Sequence, residues 1–304
     1  MANQTVEKIK VNDLEFYTKT TTPAEGVTII AKMFFLHGFA DHIDRFDDLF
    51  KYLAARGIET FAYDQRGAGL TSPEKRNWGM TEEKILYNDM DCMIEKKVGL
   101  EVSSNGTFTI PWFLAGHSMG GGITLSYAIK GTHREWFAGY IGLSPLVLVH
   151  PKTAPKAYVY YALLGVSKLM PRFQYFTGIN YQYLSRDTVE VESIKANPLN
   201  HNICTLRQMA NMLDRGKRLY DSNYISGTID RPILVIHGDE DMINHAEASK
   251  SYVEKLQVSD KTFVSIQGGY HDLIHDIEKD RILTMQDIYE WIAKRTTIKS
   301  ESKL

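Results

Sequence analysis

Cysteine is nearly absent. Cys92 and Cys204 are the only two in 304 residues, too few for a disulfide framework. Neither belongs to a His and Cys cluster large enough to hold a metal, so both read as reduced thiols in a reducing compartment. An excess of charge is also missing. The 35 Lys and Arg stand against 37 Asp and Glu, a net charge of −2, which gives no broad pull toward nucleic acid or acidic lipid. No run of about 18 apolar residues occurs, so no membrane span is expected. The longest greasy stretch, Tyr140 to Val149, is broken by Ser144 and Pro145. The first residues, Met-Ala-Asn-Gln-Thr-Val-Glu-Lys, hold no apolar core of a secretory leader, so none is expected. Repeats and low-complexity tracts do not stand out either. What remains, 43% hydrophobic and 24% charged residues, is the make-up of a globular protein with a sizeable core.

Along the chain, strand-like and helix-like segments alternate. Thr28 to Leu36, Ile58 to Tyr63, Pro111 to Ala115 and Phe137 to Leu143 read as buried strands, rich in β-branched and aromatic residues. Between the first two, Phe46, Leu49, Phe50 and Leu53 fall on one helical face, with Asp44 as a candidate cap and Gly57 as the stop. Thr81 is a candidate cap for a helix striped by Leu86, Met90, Met93 and Ile94, and Met119 to Lys130 reads as another helix. The alternation resumes with strands Pro232 to Ile236 and Thr262 to Ile266, and helices Ala246 to Leu256 and Asp280 to Lys294. The last of these carries Ile282, Met285, Ile288, Tyr289 and Ile292 on one stripe. Such alternation implies an α/β fold, a mainly parallel sheet covered on both faces. Residues 144–228 break the pattern and are too long for a bare loop. They read as a helical insert, or cap, on the sheet's carboxyl edge, where open parallel sheets bind ligands. The core is then 1–143 with 229–304.

Gly116-His117-Ser118-Met119-Gly120 is a G-x-S-x-G sequence between an expected strand and a small-residue helix start. A tight strand-to-helix turn holds such a serine strained at the sheet edge, and the helix that follows points its positive end at the site. The plain structural alternative is a Gly-rich packing turn. A serine hydroxyl needs a base and an orienting carboxylate, and in this architecture the acid and then the histidine follow later strands. After the strand ending at Ile236 stand Asp239, Glu240 and Asp241, and the residues alone leave all three open as the acid. After the strand ending at Ile266 stands His271, favoured over His275 because it lies in the loop directly after the strand. The expected oxyanion donors are the backbone N–H groups of Met119, next to the serine, and of Phe39, in the loop after the strand ending at Leu36.

Leu36-His37-Gly38, Asp64-Gln65-Arg66-Gly67-Ala68-Gly69, the serine pentapeptide, His237-Gly238-x-x-Asp241 and Tyr270-His271 together resemble the monoglyceride lipase group of α/β-hydrolases. The likeness runs over nearly the whole chain and includes Gly142-Leu143-Ser144-Pro145-Leu146 and Asn197-Pro198-Leu199. It implies an α/β-hydrolase fold, a catalytic set of Ser118, Asp241 and His271 with Asp239 as the alternative acid, and a lid over an acyl tunnel. It further implies hydrolysis of a monoacylglycerol to glycerol and a fatty acid, with Asp41 and Arg45 near the glycerol end, and neither metal nor cofactor. Where relatives carry a cysteine near this set, the chain has Asn244, and a polar histidine of the relatives is Ile274 here.

The segment from Ala157 to Met170 carries one charge, Lys168. It reads either as a lid helix that touches a membrane or lipid droplet, or as a helix buried against the rest of the cap. The chain ends in Ser302-Lys303-Leu304, the address read by the peroxisomal import receptor. The expected compartment is the peroxisome, with the cytoplasm or a lipid droplet surface as alternatives. Two other functions fit the same residues: an acyl-CoA thioesterase or broad carboxylesterase, and a non-catalytic ligand-binding protein on this fold.

Overall fold

The computed structural model describes residues 2–103 and 106–297; Ser302-Lys303-Leu304 lie outside them. In chain order its main elements are β1 (Asn3–Val11), β2 (Leu14–Thr22), β3 (Ala31–Leu36), α1 (Asp47–Ala54), β4 (Ile58–Tyr63), α2 (Glu83–Lys97), β5 (Trp112–His117), α3 (Met119–Lys130) and β6 (Phe137–Leu143). There follow α4 (Ala157–Leu169), β7 (Gln174–Phe176), α5 (Thr188–Ala196), β8 (Ile203–Thr205), α6 (Leu206–Leu219) and α7 (Ser222–Ile225). The chain closes with β9 (Ile233–Gly238), α8 (Ala246–Lys255), β10 (Lys261–Ile266) and α9 (Glu278–Thr297).

Eight strands form one sheet in the order β1-β2-β4-β3-β5-β6-β9-β10. From β4 to β10 neighbours run parallel, while β1–β2 and β2–β4 are antiparallel. Successive residues of the central strands point to opposite faces, and both faces are covered. Phe34, Trp112 and Leu114 pack toward α2, α3 and α8. Met33, Phe35, Phe113 and Ala115 pack toward α1 and α9. That is why these strands read as continuous apolar runs rather than as alternating ones. The consequence for function is geometric: every parallel strand ends at the same edge, and the loops after β3, β5, β9 and β10 meet there.

The antiparallel β1–β2 ribbon has no counterpart among the sequence expectations. It turns on two residues, Asn12 and Asp13, with Val11 opposite Leu14 and Asn12 at φ 53°. An Asn in a left-handed two-residue turn is a hairpin signal, but β1 is exposed over most of its length, so it lacks an apolar pattern. Other expectations shift. The first buried strand begins at Ala31, not Thr28. Asp44 caps no helix: it sits inside a 3-10 turn, Ile43–Phe46, that precedes α1, where it accepts from the Tyr17 hydroxyl at 3.1 Å and pairs with Lys19. Thr81 caps nothing either, because α2 starts at Glu83, whose N–H is taken by Asn211 Oδ1 at 3.0 Å. Ile282 is exposed and stands off the buried stripe of α9.

Between β6 and β9 the chain forms α4 to α7 and adds the two-stranded β7–β8 sheet, which a purely helical reading omits. Trp78 stacks on His201 with ring centroids 3.9 Å apart, and Thr205 Oγ1 donates to Gly79 O at 2.8 Å. These contacts fasten the β7–β8 region to the loop after β4. Helix α4 leans on α6, but the expectation of a buried helix fails. Only Ser167 in it is buried, while Tyr158, Tyr161 and Leu169 are 70%, 60% and 83% exposed.

Candidate active site

The turn from β5 to α3 places Ser118 in a strained conformation, φ 54° and ψ −114°, outside the comfortable basins of an L-residue. Its backbone is held on both sides: Ser118 N–H donates to Leu143 O at 2.9 Å, and Ser118 O accepts from Gly122 N–H and Leu146 N–H, each at 3.0 Å. The flanking glycines are obligatory. A Cβ on Gly116 would lie 2.4 Å from the carbonyl of Gly120, and one on Gly120 would lie 2.3 Å from Leu36 O. The pentapeptide therefore lets a helix start press against two strand ends.

The serine hydroxyl lies 2.9 Å from His271 Nε2, and His271 Nδ1 lies 2.7 Å from Asp241 Oδ2. An ionised carboxylate only accepts hydrogen bonds, so the His271 proton sits on Nδ1 and Nε2 is left free to take one from Ser118. Asp241 Oδ1 accepts from the N–H groups of Ile243 and Asn244 at 2.7 and 2.9 Å. The two neighbouring acids are differently placed. Asp239 and Glu240 are exposed, and Asp239 Oδ1 accepts from Gly268 N–H at 2.6 Å. His275 is also engaged elsewhere, with Nδ1 on Asp272 Oδ1 at 2.8 Å and Nε2 on Arg45 O at 2.6 Å.

Burial pulls the His271 imidazole down, but the charge and hydrogen bond of Asp241, with Asp272 and Asp41 behind it, raise it above its ordinary value. Burial would raise Asp241, yet His271 and His237 hold it well below the carboxylate range. With Nδ1 on Asp241 and Nε2 turned to Ser118, the imidazole can take up one proton from the hydroxyl and return it beside an ionised carboxylate.

The N–H groups of Phe39 and Met119 have no acceptor among the described residues. Beside Phe39, Ala40 adopts φ 47°, a left-handed conformation costly for alanine. Asn200, from the loop between α5 and β8, donates through Nδ2 to Ala40 O at 3.2 Å and to Asp41 Oδ1 at 3.0 Å. Asp41 and Arg45 do stand by the serine, but they bond each other first. Arg45 Nη1 donates to both Asp41 oxygens at 3.0 Å, and Nη2 donates to Asp272 Oδ2 at 2.6 Å. Burial would raise Asp41, but Arg45 holds it at about 2. With Ser118 and His271, these groups line one pocket, to which Ile179, Leu184, Ile194 and Ile243 add apolar side chains.

Sequence reasoning missed Asp272, although it adjoins His271, because a second carboxylate has no place in a three-member pattern. It missed Asn200 because residues 144–228 show no periodicity to aim it, and His237 because a histidine ahead of the acid turn has no place in that pattern either. Asn244 supports the acid turn and donates through Nδ2 to Ser144 O at 2.8 Å. Ile274 is buried in the apolar core, so it offers the pocket no polar group.

Residues 28–278 match the Hydrolase_4 family, described as serine aminopeptidase, S33. The monoglyceride lipase of Saccharomyces cerevisiae is 32% identical over 277 residues, 89% of this chain and 87% of that protein. The chain belongs to the monoglyceride lipase family of α/β-hydrolases. As a member it is a carboxylic ester hydrolase. The crystal structure of a soluble variant of the Saccharomyces cerevisiae lipase, in complex with a substrate analog, superposes with a TM-score of 0.88 at 29% identity and covers 95% of this chain and 94% of that one. The Paleococcus ferrophilus monoacylglycerol lipase follows at TM-score 0.77 and 25% identity, covering 93% and 100%.

Proposed function

We propose that the chain hydrolyses the ester bond of monoacylglycerols, releasing glycerol and a fatty acid, with Ser118 as nucleophile, His271 as base and acid, and Asp241 as the group that orients it. The observation that carries this is the unbroken line from Ser118 Oγ through His271 to Asp241 at 2.9 and 2.7 Å, opening into a pocket lined by both polar and apolar side chains. Ser118 Oγ attacks the carbonyl carbon and its proton passes to His271 Nε2. Negative charge gathers on the carbonyl oxygen, where the N–H groups of Phe39 and Met119 receive it. The C–O bond to glycerol then breaks, and the leaving oxygen takes the proton from Nε2. Water attacks the acyl-serine, gives a proton to His271, and a second collapse returns that proton to Ser118 Oγ as the fatty acid departs. The steps call on no metal or cofactor. Glyceryl hydroxyls suit the Asp41, Arg45, Asp272 and Asn200 end of the pocket, and the acyl chain suits Ile179, Leu184 and Ile194. The insert, residues 144–228, acts in this reading as a lid.

A substrate panel tests the assignment: monoacylglycerols of several chain lengths, di- and triacylglycerols, and acyl-CoA thioesters. A monoacylglycerol is expected to lead in kcat/KM by about tenfold or more, a margin within reach of differential transition-state binding. Preference for acyl-CoA contradicts it and favours a thioesterase. For delivery of the substrate, the exposed apolar face of α4 is proposed to rest on lipid. Tyr158→Glu with Leu169→Glu should reduce co-flotation with neutral liposomes several-fold, since each carboxylate replaces apolar contact area. Unchanged flotation removes the lipid contact. Leu163 and Leu164 of the same helix are half-buried, so they are poorer probes of lipid contact. Import into peroxisomes through Ser302-Lys303-Leu304 is likewise proposed.

A further inference from the structure

Asp241 carries a second imidazole. His237, the next-to-last residue of β9, places Nε2 3.0 Å from Asp241 Oδ2, the oxygen that also bonds His271. The carboxylate thus has four donors: two backbone N–H groups on Oδ1 and two imidazole N–H groups on Oδ2. His237 is fully buried, and its Nδ1 has no partner among the described residues. A buried ring nitrogen left unpaired is a cost that an apolar side chain at the same place would avoid. The bond from Nε2 is what the ring delivers in return.

We infer that His237 is a positioning residue: its Nε2–H fixes Asp241 Oδ2 in front of His271 Nδ1 and draws off part of that oxygen's charge, which tunes the base that activates Ser118. The inference rests on the catalytic reading of Ser118, His271 and Asp241. It puts a proton on His237 Nε2, because Oδ2 can only accept. His237 never touches the substrate. It acts through the strength of the Asp241–His271 bond.

The groups that face this system are few. His271 faces Asp241, Asp272 and Asp41, with His117 beside it. Arg45 offsets Asp41 and Asp272. His237 faces Asp241 and, at the start of α8, His245. Removing His237 leaves Oδ2 to His271 alone. The imidazolium is then better stabilised, so the base is lost to protonation at a higher pH.

The test is the pH profile of kcat/KM on a soluble monoacylglycerol for the full chain, His237→Leu and His237→Gln. In His237→Leu the acid limb should move up by about 0.5–1 unit, as expected when a carboxylate loses one of its hydrogen bonds. Its kcat should fall by about tenfold with KM little changed, the mark of an interaction felt in the chemical step. Glutamine brings an N–H donor to nearly the same point, so His237→Gln should return both readouts toward wild type. A folded His237→Leu with the wild-type limb and kcat overturns the inference. If the leucine variant does not fold, nitrogen NMR of the histidine-labelled wild type decides: a ring carrying a proton on Nε2 supports it, and a ring protonated on Nδ1 alone overturns it. Ser118→Ala run alongside separates the two layers. Activity retained there defeats the catalytic reading, whereas an inactive Ser118→Ala with an unmoved His237→Leu profile defeats only the role of His237.

Discussion

Ser118→Ala is expected to lower kcat/KM on a monoacylglycerol by roughly four to six orders of magnitude, the loss seen when a nucleophile of this kind is removed. What survives comes from binding and from the N–H groups of Phe39 and Met119, which the substitution leaves in place. The effect is chemical rather than structural. Ser118 Oγ has His271 as its hydrogen-bond partner, and the strained φ of 54° is set by backbone bonds to Leu143, Gly122 and Leu146 that alanine keeps. Stability should therefore change by less than about 1 kcal/mol. Steady-state kinetics with a thermal melt on the same sample checks both halves. Ester cleavage at the wild-type level would end the assignment of Ser118.

The second large effect is Asp241→Asn, with a fall in kcat/KM of about four orders of magnitude. The reason lies in the surroundings of the carboxylate. Two backbone N–H groups, those of Ile243 and Asn244, point at Oδ1, so an asparagine turns its oxygen toward them and its NH2 toward the histidines. His271 Nδ1 then has to accept, its proton moves to Nε2, and it no longer takes one from Ser118. The pH dependence changes sign as well. In the wild type burial lowers His271, but Asp241, with Asp272 and Asp41 behind it, more than offsets burial, and the imidazole lies above its ordinary value. The acid limb of kcat/KM should thus fall above the usual histidine pKa of about 6.5. Without the Asp241 charge, burial is left as the leading influence, and the limb of the residual activity should drop below that value. Asp239→Asn serves as the control. Asp239 is exposed and turned to Gly268, so its replacement should leave kcat/KM within about threefold, as for surface changes in general. A large loss in Asp239→Asn and none in Asp241→Asn would exchange their roles.

Much of this site is legible in the residues because the sheet does the assembling. Parallel strands buried on both faces announce themselves as apolar runs, and the turns after them must gather at one edge, so Ser118, the 239–241 turn and His271 could be placed from order alone. Which of Asp239, Glu240 and Asp241 faces the histidine could not. That depends on a turn in which Asp241 folds back onto the N–H groups of Ile243 and Asn244, a matter of backbone path rather than of residue type. Asp44 and Thr81 do not act as caps for a related reason. Their types suit a helix start, but tertiary partners, Lys19 for the one and the Asn211 contact at Glu83 for the other, fix where the chain enters each helix. The apolar content of α4 is plain in its residues, but whether its face is covered depends on what packs against it, and α6 does so while Tyr158, Tyr161 and Leu169 stay exposed. The Asp41–Arg45–Asp272 cluster joins residues from the loops after β3 and β10, a pairing that no local pattern encodes.

The central claim is that one serine, Ser118, is activated by His271 and holds the acyl group. Intact-mass analysis after treatment with an activated fluorophosphonate, followed by peptide mapping, addresses it most directly. The account predicts a single adduct on Ser118, absent in Ser118→Ala and formed more slowly as pH falls and His271 becomes protonated. No adduct, or an adduct on another serine, would contradict it.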